Sequence, residues 1–222
     1  MKAWIAKPKG YKGMGMEGSV ARWYERTTRK SIADFRGLAD RLAARVPAGS
    51  RALEVAPGPG FLAIELARRG LCVTTLDISR TFVEIARENA RRENVAVDCR
   101  LGNASDMPFE SGGFDFVVCR AAFKNFSEPV KALQEMHRVL RPGGFALVID
   151  LRRDTPMSAI HEAIGQMGLG WFSRWFTSLT FRFMLRKRAY TKAEMERMLA
   201  QTGFSQIEVH AVDIGFEAWM TK

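Results

Sequence analysis

Histidine and cysteine are scarce here, three of each in 222 residues. Neither type shows metal-ligand spacing, and no Ser/His/Asp or Cys/His set presents itself, so zinc sites and nucleophilic hydrolysis find little support. Cys72, Cys99 and Cys119 each fall inside an apolar, strand-like run. They read as reduced core thiols of a cytoplasmic protein. Residues 1–18, rich in Lys and Gly and without an apolar core, do not read as a signal peptide. The one long apolar stretch, residues 160–185, is broken by Glu162, Arg174 and Arg182, which argues against a spanning helix. There is no internal repeat and no low-complexity tract. What remains, 47% apolar and 26% charged, suits one globular domain with a well-buried core.

Acidic charge is short by ten, and the deficit is local. Residues 1–51 carry 12 Lys/Arg against 4 Asp/Glu, and residues 152–192 carry 8 against 2. Between them, residues 52–151 are nearly neutral, with 12 against 13. Two basic flanks around a neutral core either keep the protein in solution or attract an anionic substrate, membrane or nucleic acid.

The hydrophobic pattern predicts helices over 18–29 and 31–46, the second broken by Pro47-Ala-Gly49. From residue 51 short apolar runs alternate with amphipathic stretches. Strands are expected at 52–56, 72–76, 95–100, 114–119 and 145–150, with helices at 60–69, 82–92 and 129–140. That alternation implies βαβ units and a parallel sheet covered on both faces. A helix over 191–202 begins at Thr191 with Glu194 three residues later, the pattern of a capping box, and 204–209 and 214–220 form a closing hairpin. The expected organisation is an N-terminal helical cap (1–50), a cofactor-binding core (51–150), a lid or substrate segment (151–190) and a C-terminal helix with strands (191–222).

Leu53-Glu-Val-Ala-Pro-Gly58-Pro-Gly60 is a strand running into a glycine-bearing turn at a helix start. Such a turn lets backbone approach a ligand and presents free N–H groups to it. Gly58-x-Gly60-x-x-Ala63 also satisfies the dinucleotide fingerprint, and Asp77, after the next strand, suits any ribose. The glycines therefore leave an NAD-dependent oxidoreductase open. Glu54 separates the two, because a carboxylate beside the turn suits cationic amino and sulfonium groups better than pyrophosphate. Two further segments belong to the pattern: Gly102-Asn-Ala-Ser-Asp-Met-Pro-Phe109 after the third strand, and Arg138-Val-Leu-Arg-Pro-Gly-Gly144 leading as a sharp turn into the fifth.

With these motifs the sequence resembles the class I S-adenosylmethionine-dependent methyltransferases, in particular the UbiE/MenG-like small-molecule enzymes (methyltransferase type 11). The resemblance runs over residues 51–150, with a weaker echo at 190–209. It implies a Rossmann-like, doubly wound α/β fold: a mostly parallel seven-stranded sheet with a terminal antiparallel hairpin, helices on both faces and a helical lid insertion. It implies S-adenosyl-L-methionine as cofactor. Glu54, Ala56, Gly58 and Gly60 then hold its methionine part, Asp77 and Ile78 its ribose, and Asn103 and Ala104 its adenine, with Arg120 at the methionine end. Phe123-Lys-Asn-Phe126 is similar to a Leu-Arg-Asn-Val stretch of the quinone-pathway members. Two residues depart from the family pattern. Ala56 stands for a glycine, and Asn103 stands for the usual aspartate, which predicts looser adenine binding. The Asn-Pro-Pro-Tyr signature of exocyclic-amine methylation is absent.

The implied reaction is in-line methyl transfer to a small, apolar or amphiphilic acceptor, with alignment and water exclusion as the main catalytic contributions. Candidate catalytic residues are His161, as a general base, with Tyr24 and Lys124; Tyr11, Tyr24, Arg120, Lys124, Asn125 and Tyr190 are candidates for the acceptor wall. The aromatic, basic run from Trp171 to Arg188 is either a lid or a peripheral membrane contact. RNA methylation and a non-catalytic cofactor-binding protein are the alternatives, the first without a recognised RNA-binding module.

Overall fold

The computed structural model describes residues 10–13, 15–156, 158–159 and 188–222. Seven strands form one sheet: β1 (Arg51–Val55), β2 (Cys72–Asp77), β3 (Val97–Leu101), β4 (Phe114–Arg120), β5 (Leu140–Leu151), β6 (Gln206–Val212) and β7 (Gly215–Thr221). Their order is β3-β2-β1-β4-β5-β7-β6. The first five run parallel, and β7 enters antiparallel between β5 and β6. This is the predicted mostly parallel sheet with its terminal hairpin.

Among the described residues, the sheet is packed by α1 (Gly18–Thr28), α2 (Ile32–Ala43), α3 (Phe61–Arg68), α4 (Arg80–Arg92), α5 (Pro129–Val139) and α6 (Lys192–Leu199). One sheet face buries Ala52, Val73, Phe116 and Val118 against Leu38 and Leu42 of α2 and Leu62 and Leu66 of α3. The other buries Val55, Val117 and Val148 against Leu133 and Met136 of α5 and Met195 and Leu199 of α6. Each fully buried Leu or Met contributes about 1.5–3 kcal/mol. Burial on both faces is why the inner strands β4 and β5 read as mainly apolar runs, whereas edge strand β3 keeps Asp98 and Arg100 exposed.

Two details differ from the pattern-based expectation. The helix expected to reach residue 46 stops at Ala43, consistent with the disfavoured helical conformation just ahead of Pro47. The Arg-Pro-Gly-Gly segment lies inside β5 as a bulge. Phe114 pairs with Leu140, and the next registered pair is Phe116 with Phe145, which leaves residues 141–144 looped out. Gly144 is needed there, since a Cβ would lie 2.7 Å from the Asp115 carbonyl. The capping box at α6 is present in full, with Thr191 and Glu194 bonding each other's backbone N–H at 3.1 and 2.8 Å. The lid expected across 151–190 lies mostly outside the described residues.

The strand order reverses between β1 and β4. In an open parallel sheet this point leaves a crevice beyond the carboxyl ends of the strands, and it collects the candidate site residues.

Candidate active site

The turn after β1 places Ala56, Gly58 and Gly60 at positive φ, +55°, +56° and +78°. For Ala56 this costs about 1–2 kcal/mol, a strain that the surrounding bonds hold in place. The Ala56 N–H donates to the Leu76 carbonyl at 2.8 Å, tying the turn to β2. Gly60 caps α3 without a side chain. A Cβ on it would meet that of Ala86 at 3.0 Å, so α3 and α4 approach closely only through glycine.

Asp77, at the end of β2, accepts from the Gly58 N–H at 3.1 Å and from the Ser79 N–H at 2.9 Å. Burial pushes its carboxyl up to about 6 against these stabilising bonds. Each oxygen keeps a lone pair for a further donor. Ile78, beside it, is half-buried.

Glu54 is 3% exposed, and its Oε2 has no hydrogen-bond partner among the described residues. The backbone N–H of Ala63, in the first turn of α3, favours its charged form. Burial drives this carboxyl up to about 8, with Arg120 opposing the rise. Glu54 pairs with Val118 across β1 and β4, so Arg120, two residues on, shares its sheet face. The Arg120 guanidinium rests 4.4 Å from the Phe35 ring centre and makes no ion pair among the described residues. A bare acid and a free guanidinium on one face, next to a glycine turn, match the opposite charges of an amino-acid zwitterion.

After β3, the Asn103 carbonyl accepts from the Ser105 N–H at 3.0 Å, and Ala104 packs against the core. A strap made of residues 10–13 and 15–18 is tied to the loops at this end of the sheet. The Ser127 N–H bonds the Gly10 carbonyl at 3.1 Å, and the Lys12 N–H bonds the Asn125 carbonyl at 2.7 Å. At its other end the Ser79 hydroxyl bonds the Met16 carbonyl at 2.6 Å. Glu17 accepts from the Arg80 and Thr81 N–H groups at 3.1 and 3.0 Å, capping α4 from outside. Gly10 has φ +114°, and a Cβ there would lie 2.7 Å from the Asn103 amide. Tyr11 is held near Asp77 and Tyr24, its hydroxyl raised by burial. Tyr24 packs edge-on against Phe82, with ring centres 5.8 Å apart, and lies 3.8 Å from where a Gly58 Cβ would be. Periodicity carried no sign of this strap, because its ties reach loops more than sixty residues away.

Of the candidate catalytic residues, Tyr24 therefore borders the crevice. Lys124 is buried, its ammonium bonded to Asp150 at 2.8 Å and to the Ala121 carbonyl at 2.6 Å. Asp150 was not anticipated as its partner. Tyr190 accepts from the Lys12 ammonium at 3.3 Å and packs near Phe123, with ring centres 5.7 Å apart. His161 lies outside the described residues. His137 packs edge-on against Phe204 and His210 bonds Glu208, both on the α5 and β6 side of the molecule. Among the described residues no group of three or more His, Cys, Asp or Glu could hold a metal ion, and no helix is long and apolar enough to cross a membrane.

A family model of the methyltransferase domain matches residues 53–148, from β1 into β5, the span that contains the glycine turn, Asp77, Asn103 and Arg120. A ubiquinone biosynthesis O-methyltransferase from Xanthomonas oryzae is 33% identical over 128 residues, covering 57% of this chain and 53% of that protein. The chain thus spans about half the length of that relative. A demethylmenaquinone methyltransferase from Deinococcus radiodurans is 32% identical over 161 residues, covering 70% of this chain and 66% of its own length. Among solved structures, a Methanococcus maripaludis protein assigned as an S-adenosyl-L-methionine-dependent methyltransferase superposes with a TM-score of 0.74. That likeness covers 95% of both chains at 20% identity, and speaks for the fold. The chain belongs to the class I S-adenosylmethionine-dependent methyltransferases.

Proposed function

We propose that the protein transfers a methyl group from S-adenosyl-L-methionine to a small aromatic acceptor, a phenol or quinol related to the quinones for which its relatives are named. The observation that carries this reading is the partnerless Oε2 of Glu54, buried beside the glycine turn. A pyrophosphate brings no donor for that oxygen and would disfavour its ionisation further, whereas a cationic amino group supplies the missing donor.

The residues present fit the group. Glu54 would accept from the amino group and Arg120 would pair with the carboxylate. Asp77 would accept from the ribose hydroxyls, and the Asn103 side-chain carbonyl would accept from the adenine amino group. When bound, the cofactor supplies a methyl group on a positively charged sulfur, which already leaves well. The chain's own contribution is then to align the acceptor and keep water out. Tyr11 and the strap cover the crevice, and the buried Lys124–Asp150 pair sets the loop that carries Phe123 and Asn125. We assign Lys124 to positioning that loop. Tyr24 and His161 are the side chains whose removal tests for proton abstraction from a hydroxyl acceptor.

The test is transfer of labelled methyl groups to a panel of phenols and quinols, alongside calorimetry with adenosylhomocysteine and NAD. Label in a phenolic product, with adenosylhomocysteine bound and NAD ignored, is expected. Tight NAD binding without a response to adenosylhomocysteine would overturn the reading.

A further inference from the structure

The inner side of α1 is accounted for: Ala21 is fully buried, and Tyr24 packs on Phe82 at the crevice rim. Its outer side is not. Trp23 is 63% exposed, the most exposed large apolar side chain among the described residues. Arg22, Arg26 and Lys30 are exposed around it, at spacings that put them on the same side of the helix and the turn that follows. None of the three makes an ion pair among the described residues. Arg29, by contrast, is paired with Glu25 at 2.8 Å and bonds Asn89 at 3.0 Å. The stripe is thus one aromatic among three unmatched cations, in the segment where most of the chain's excess positive charge lies.

We propose that this outer face of α1 docks on an anionic lipid surface. Charge complementarity selects an anionic partner, and the apolar component then selects among anions. Indole is favoured at the level of lipid headgroups, where its ring is dry and its N–H is wet. Single-stranded nucleic acid is instead held by several aromatic platforms in a basic groove. The other exposed large apolar side chains, Leu101, Ile207 and Val212, are aliphatic and lie on edge strands β3 and β6. Because the opposite side of α1 borders the crevice, docking sets the crevice rim close to the lipid, where an apolar acceptor partitions. The surface itself does not depend on the methyl-transfer reading, and its test needs no turnover.

The test sediments the full chain with vesicles of phosphatidylcholine alone and with vesicles that also contain phosphatidylglycerol. The wild type is expected to pellet with the anionic vesicles only and to be released by salt. Replacing the three cations together (Arg22→Gln, Arg26→Gln, Lys30→Gln) is expected to weaken partition roughly a hundredfold. Trp23→Ser is expected to weaken it by about tenfold. Both variants should keep the wild-type melting temperature and adenosylhomocysteine affinity. Neutralising Arg186, Lys187 and Arg188 should leave partition unchanged. The proposal is overturned if the wild type does not pellet or if the triple variant partitions like it. It is equally overturned if only the 186–188 variant loses binding, or if a single-stranded RNA binds more tightly than the vesicles and displaces them.

Discussion

Glu54 and Asp150 occupy comparable places, each near the carboxyl end of a parallel strand and each almost wholly buried, at 3% and 4% exposed. Their surroundings are opposite. Asp150 receives the Lys124 ammonium at 2.8 Å, the Lys124 N–H at 2.8 Å and the Leu151 N–H at 2.7 Å. Glu54 has a backbone donor from α3, a distant guanidinium and one bare oxygen. A buried acid with a donor on each oxygen and a cation beside it fixes a loop. One left short of donors is unfavourable in the free protein and favourable once a cation arrives. The β5 end of the crevice is therefore finished structure, and the β1 end is completed by a ligand.

The sharpest break between the two is in stability. Lys124→Ala leaves the Asp150 carboxylate buried and unpaired, and about 3–5 kcal/mol of folding free energy should be lost, measured by urea unfolding. Glu54→Gln should do the reverse, leaving stability equal or slightly raised while adenosylhomocysteine affinity falls about tenfold to a hundredfold, as for loss of a hydrogen bond to a charged group. Equal destabilisation by both substitutions would erase the distinction.

A second effect appears with pH. The Glu54 carboxyl moves from an ordinary 4.5 up to about 8 on folding. Between those values the unfolded chain has released a proton that the folded chain retains, so the free protein should lose stability as pH rises, levelling above about 8. Asp77, raised from 3.8 to about 6, adds the same sign over a lower window. Urea midpoints across this range check both, and Glu54→Gln should flatten the upper part. The smallest effect is expected at the strap. Gly10→Ala forces a Cβ against Asn103, and should cost about 1–2 kcal/mol together with a several-fold loss of adenosylhomocysteine affinity.

The fold was legible because inner parallel strands covered on both faces are mainly apolar, as β4 and β5 are, while edge strand β3 shows only a short run interrupted by the exposed Asp98 and Arg100. The β5 bulge was not, since Arg141 to Gly144 has the composition of a turn and only the pairing with β4 reveals a strand. In the crevice, Glu54, Gly58 and Asp77 stand in local motifs, where type and spacing carry the meaning. The partner of Lys124 lies 26 residues away on another strand, and Glu17 caps a helix 63 residues on. Such contacts are made by the fold, and local pattern carries no trace of them.

The most direct test of Glu54 as the acid awaiting a cation is calorimetry of adenosylhomocysteine binding from about pH 6 to about pH 9, in the wild type and in Glu54→Gln. Wild-type affinity should climb towards about pH 8 with release of a proton on binding, and the variant should bind more weakly with no such climb. Parallel pH profiles in the two proteins, or no binding by the wild type at any pH, would contradict that role.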